Sequence, residues 1–151
     1  IDQNKKFLSF LEKEWQYELS QNPVYATAMG VKGFETVWRD NSLEAIELRN
    51  LHLKESLNKL RSFNPSNLNK DNQLNLRLFT QLTERDLEVS KYNRYLLPFN
   101  HRGGVQLAHE DAESLPLKTL EEYRFWLERL KNLDKRIKQI INLAKLGLQK
   151  N

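Results

Sequence analysis

The sequence predicts an all-α protein: a bundle of about four long helices and one short helix, with an extended Pro/Gly segment before the last helix. Three observations lead there. Apolar residues recur at three- and four-residue intervals through most of the 151-residue chain, which places them on one face of a helix. Only five glycines and four prolines interrupt it, so long stretches are free of helix breakers. Hydrophobic residues make up 39% and charged residues 29%, the balance expected when each helix keeps one face in water.

The first helix is predicted over about Gln3 to Ser20, where Phe7, Leu8, Leu11 and Trp15 recur among Lys and Glu. Asn22-Pro23 reads as a cap followed by proline at the first helical position, opening a short helix that stops at Gly30. From Val31 to Asn41 the pattern dissolves into a loop, tucked down by Phe34, Val37 and Trp38. Ser42 caps a helix from Leu43 to about Ser62, with Ile46, Leu53, Leu57 and Leu60 as its buried stripe. Asn64-Pro65-Ser66 ends it, because the residue before a proline avoids helical geometry.

Asn69 caps a fourth helix, with Asp71 favourably placed in its first turn and Leu74, Leu78, Leu82 and Val89 as its buried face. Pro98 then forbids a simple helix interior, and Gly103-Gly104 admits conformations other residues avoid. Leu96 to Val105 therefore reads as an extended segment and a tight turn, and Gln106 to Pro116 as a polar, acidic loop. Thr119 and Glu122 have capping-box spacing. Tyr123, Leu127, Leu130, Ile137, Ile141, Ala144 and Leu148 then continue as one final helix. At 1.5 Å per residue it would run ~45 Å, long enough to leave an apolar stripe uncovered.

Composition excludes several functions. Lys and Arg outnumber Asp and Glu by 24 to 20, and acids lie among the bases along most of the chain. That pattern describes solvated helix faces and no nucleic-acid partner. The bases between Lys131 and Lys150 fall late in a helix, where its dipole favours cations. With no cysteine, neither a disulfide nor a thiolate zinc site can form. No apolar run approaches the ~20 residues of a transmembrane helix.

The three histidines are His52, His101 and His109. His109-Glu110-Asp111-Ala112-Glu113 begins like the zinc signature H-E-x-x-H, in which two imidazoles four residues apart reach one metal. Glu113 stands where the second imidazole belongs, so only a weak cation site through Glu110, Asp111 and Glu113 stays open. No nucleophile elbow, phosphate loop or dinucleotide fingerprint occurs. Trp15, Trp38 and Trp126 read as core residues. No catalytic, cofactor-binding or metal residue is assigned.

Pro98 to Val105 is the functional candidate. An extended backbone can pair with a peptide, glycines allow close approach, and Asn100 and Arg102 offer side-chain hydrogen bonds. Asn100, Arg102, Gly103 and Gly104 are thus candidate substrate-cleft contacts, against the plainer reading of a turn between two helices.

Three groups of residues resemble, in order, the opening region of the DUF885 family of bacterial zinc-metallopeptidase-like proteins. The first is Trp15, Asn22-Pro23, Ala26-Thr27 and Gly30. The second is Leu97-Pro98-Phe99-Asn100 with Gly103-Gly104-Val105. The third is Leu120-Glu121-Glu122-Tyr123 with Leu127, Arg129-Leu130 and Gly147. The resemblance implies a single helical lobe over residues 1–151, the N-terminal piece of a longer polypeptide whose H-E-x-x-H helix lies downstream. It implies no cofactor in this chain, zinc only in the C-terminal region, and the remainder of its own polypeptide and a peptide substrate as partners. It also implies a bacterial periplasmic or cell-envelope setting, with a lipid anchor upstream of Ile1. The alternative is a stand-alone helical protein-binding module without enzymatic activity.

Overall fold

The structure is a computed structural model that describes residues 2–101 and 103–150. The all-α prediction holds. The helices are α1 (Gln3–Gln21), α2 (Pro23–Ala28), α3 (Leu43–Arg61), α4 (Lys70–Ser90), α5 (Ala108–Glu113), α6 (Leu120–Lys131) and α7 (Leu133–Gln149). Short 3-10 turns lie at Pro65–Asn67, Arg94–Leu96 and Val105–Leu107, and no strand occurs among the described residues. None of these helices is long and apolar enough to cross a membrane. The chain divides into two compact units.

The first unit comprises residues 1–16 and 44–94. Its core is an aromatic cluster. Phe7 and Phe63 meet edge to face at 5.2 Å, and Phe10 lies 5.9 Å from Phe63 and 6.2 Å from Phe79, with Leu60, Leu68 and Leu76 around them. The Asn69 side chain accepts from Asn72 N at 2.9 Å and caps α4 as expected. Asn4 Oδ1 accepts from Asn69 N and from Asn72 Nδ2, so α1 is pinned to the start of α4.

The buried face of α4 is not the predicted one. Leu74, Leu78 and Leu82 are 45–47% exposed, while Asn72, Leu76 and Thr83 are buried. The aromatic cluster draws Leu76 and Phe79 inward. The polar residues on that face are satisfied locally, Asn72 by Asn4 and Thr83 by the Phe79 carbonyl. A periodicity count cannot foresee such pairing.

The second unit comprises residues 17–43 and 95–151. Pro23 takes the first helical position of α2, but Asn22 makes no side-chain cap. Its amide instead turns back to Glu18 and accepts from Arg39 Nη1. Helix α2 ends in a Schellman motif: Val31 N donates to Ala26 O, Gly30 N donates to Thr27 O, and Gly30 takes φ +78°.

The final helix differs from the expectation of one continuous rod. It breaks at Asn132, which leaves helical geometry (φ −93°, ψ 4°) and donates its side-chain amide to Glu128 O. Asp134 in the first turn of α7 favours a fresh start there. The predicted acidic loop contains α5, whose first turn holds Glu110 and Asp111. Helix α7 packs on the Val105–Leu107 turn, and Gly147 lies so close to the Leu96 carbonyl that a Cβ would collide with it. An uncovered apolar stripe is present. Tyr123, Leu127, Leu130, Ile141 and Leu148, read from periodicity as inward, are exposed, and Arg129, Ile140 and Leu143 are buried instead.

Candidate functional site

The second unit is organised around one buried cation. Arg129 is fully buried on α6. Its Nη2 donates to Thr27 Oγ1 at 2.7 Å and to the Phe34 carbonyl at 2.5 Å, with the Pro23 carbonyl at 3.5 Å. One guanidinium thus ties α6 to both ends of α2 and to the loop after it. Its Nε and Nη1 are buried without a hydrogen-bond partner among the described residues. Burial pushes the Arg129 pKa down, and the Asp111 and Glu35 carboxylates push it back up. Arginine keeps its charge across the physiological range regardless.

Trp38 completes this hub. Its indole N–H donates to the Arg129 carbonyl at 2.7 Å, and its ring lies 4.5 Å from the Arg136 guanidinium and 5.9 Å from the Trp126 ring. Arg136 in turn meets Asp111 of α5 at 3.3 Å. Gln139 fixes the loop from the other side, accepting from Asn41 N and donating to Asp40 Oδ1. The Ser42 backbone N–H is the largest of the interactions that hold the Asp40 carboxyl below its ordinary range. Read from the sequence as core residues, Trp38 and Trp126 are half-buried against this hub, and Trp15 is 41% exposed.

Beside this hub lies a cavity of about 290 Å³, walled by Val31, Leu115, Pro116, Leu117, Phe125 and Trp126. Glu35 and Glu121 bring carboxylates to it and Lys32 an ammonium. The Thr119–Glu122 capping box forms the N-terminal edge of α6. Glu122 Oε2 accepts from the backbone N–H groups of Lys118 and Thr119, and these bonds hold its pKa below the usual carboxylate value. Such a recess can seat one apolar or amphipathic side chain. The sequence marks Arg129 only as part of the Arg129-Leu130 family motif, and shows neither its burial nor this cavity. The available signal was Phe125, Trp126 and Arg129 at three- and four-residue spacing, which competed with the longer Tyr123–Leu127–Leu130 series.

Of the sequence-predicted contacts, Asn100, Gly103 and Gly104 lie in a self-satisfied turn. Asn100 N donates to Gly103 O at 3.0 Å and Gly103 N donates to Asn100 O at 3.4 Å. Gln106 Nε2 donates to the Asn100 and Gly103 carbonyls at 2.9 and 3.2 Å, and Gly104 takes φ +136°. The structure therefore brings Asn100, Gly103 and Gly104 together, while Arg102 lies outside the described residues. The bridge occupies backbone groups that the extended reading left for a ligand.

The donor side chains do not fit a zinc centre. Among the described residues no group of three or more His, Asp or Glu is placed to hold a metal ion. His52 and Ser56 both bond Glu14 Oε2, at 3.0 and 2.7 Å. In that cluster Ser56 Oγ donates to the carboxylate, and one imidazole nitrogen faces both partners. A Ser-His-acid triad instead requires the serine and the acid on opposite ring nitrogens.

A family model described as a bacterial protein of unknown function, DUF885, matches residues 23–151. The chain belongs to the DUF885 family. No curated protein matches it. The DUF885 match begins at Pro23, the first residue of α2, and spans the Arg129 hub, the Asn100–Gly104 turn and the cavity.

Proposed function

We propose that this chain is the non-catalytic N-terminal helical lobe, scaffold and cleft wall, of a zinc-dependent peptidase-like protein of the bacterial envelope. The DUF885 match over residues 23–151 carries the reading, through that family's resemblance to zinc peptidases. The zinc and its H-E-x-x-H ligands belong, in this proposal, to polypeptide downstream. Here the chain's contribution is shape. The Arg129 hub holds α2, its following loop and α6 in fixed register, and the braced turn at Asn100, Gly103 and Gly104 lines the substrate cleft in this proposal.

The exposed Tyr123, Leu127 and Leu130 favour a second reading as well, a stand-alone helical module that binds another protein. The downstream reading frame of the gene separates the two. A continuation into an H-E-x-x-H helix is expected, and a stop codon directly after Asn151 would sink the first proposal in favour of the second.

A further inference from the structure

In the first unit, α1 and the end of α3 with its following turn carry the same five-residue pattern. Lys6, Ser9 and Phe10 repeat as Lys59, Ser62 and Phe63, each set with Lys at the first position, Ser at the fourth and Phe at the fifth. The fold brings both sets to one cavity of about 750 Å³, where Lys5 and Lys13 join them. No carboxylate lines it, and none of these four lysines forms an ion pair among the described residues. Phe10 and Phe63 are buried with ring centroids 5.9 Å apart, and the Lys59 ammonium stands 5.7 Å from the Phe63 ring. Ser62 Oγ donates to the Lys59 carbonyl, so its proton is committed within the turn.

Four exposed ammonium groups around one open recess give it a positive potential that favours an anion, more so at low salt. Each set offers an ammonium, and Ser9 adds a hydroxyl. Lysine acts as a point charge, which suits tetrahedral phosphate better than bidentate carboxylate recognition. The volume falls within the ~300–1,000 Å³ of ligand cavities, large enough for a phosphate and the organic group that bears it.

We propose that this cavity binds a phosphate-bearing ligand, with Lys6 and Lys59 as its principal cations and Phe10 and Phe63 as the apolar floor. The same chemistry is offered by a soluble phosphate ester and by an anionic phospholipid headgroup.

Two arms of one experiment separate these sources. Glycerol phosphate is titrated by calorimetry, and sedimentation is measured with phosphatidylglycerol against phosphatidylcholine vesicles. Lys6→Gln with Lys59→Gln should weaken the bound arm by at least ~10-fold, the effect of losing one charge-assisted hydrogen bond. Lys70→Gln with Lys145→Gln, which removes the same charge elsewhere, should leave it unchanged. These lysines are exposed, so the variants keep the fold; Ser9→Ala checks the hydroxyl and should weaken the same arm. Binding in the soluble arm alone identifies a small ligand, and binding to phosphatidylglycerol alone a headgroup. Equal loss in both lysine pairs, or no binding in either arm, would overturn the proposal.

Discussion

Replacing Arg129 tests whether one buried cation organises the second unit. The side chain is fully buried, and its two short hydrogen bonds reach Thr27 and Phe34. A hydrogen bond to a charged group contributes about 1.5–3 kcal/mol, so the pair is worth about 3–6 kcal/mol before offsets. Against this stands the desolvation of the guanidinium, several kcal/mol that any neutral substitute recovers. Arg129→Ala also leaves a cavity, which restores much of the loss; the expected destabilisation is about 3–5 kcal/mol. Arg129→Met fills most of the space. Thr27 Oγ1 still donates to the Pro23 carbonyl at 2.8 Å, so only the Phe34 carbonyl loses a strong partner. The expected cost is about 1–3 kcal/mol, that of one orphaned buried acceptor. Urea unfolding followed by far-ultraviolet circular dichroism gives both values from one experiment. An Ala variant within about 0.5 kcal/mol of wild type, the range of ordinary surface changes, would refute the organising role.

Further outcomes follow from other elements. Thr119→Ala should lose about 0.5–2 kcal/mol, because Glu122 N loses its acceptor at the start of α6, and Thr119→Ser should restore it in the same urea titration. Gly147→Ala should destabilise by about 1–3 kcal/mol, since the added methyl meets the Leu96 carbonyl; a neutral result would show that α7 does not approach that turn so closely. The Asp40 carboxyl is lowered in the folded state, so its stabilisation is present above the unfolded value of ~3.9 and is lost as pH falls through the lower folded value. Asp40→Asn should therefore flatten the stability-against-pH curve below about pH 4 and leave its shape near neutrality unchanged.

Local chemistry was the most legible part of the fold. Asn69, Pro23, Gly30 and the Thr119–Glu122 box act within a few residues of themselves, and the sequence places each where the structure uses it. Which face turns inward was much less legible. On α4 and α6 two apolar series compete, and the winner depends on residues distant in sequence: the Phe7–Phe10–Phe63 cluster for α4, and the acceptors at Thr27 and Phe34 for α6. The break at Asn132 leaves no mark in the apolar spacing, which continues across it while the buried face shifts from Arg129 to Ile140 and Leu143. At the candidate site, the sequence marked the Asn100–Gly104 turn by its breakers. It could not show that Gln106 braces that turn, nor that Arg129, a charged residue, lies at the centre of the unit.

In the proposed function, these 151 residues shape a site whose chemistry is performed by other polypeptide. Peptide hydrolysis by the purified chain, assayed with zinc present and again after chelation, decides whether that proposal stands. The expected result is no turnover above buffer in either condition. Turnover that appears with zinc, disappears with the chelator and returns on adding the metal back would contradict it.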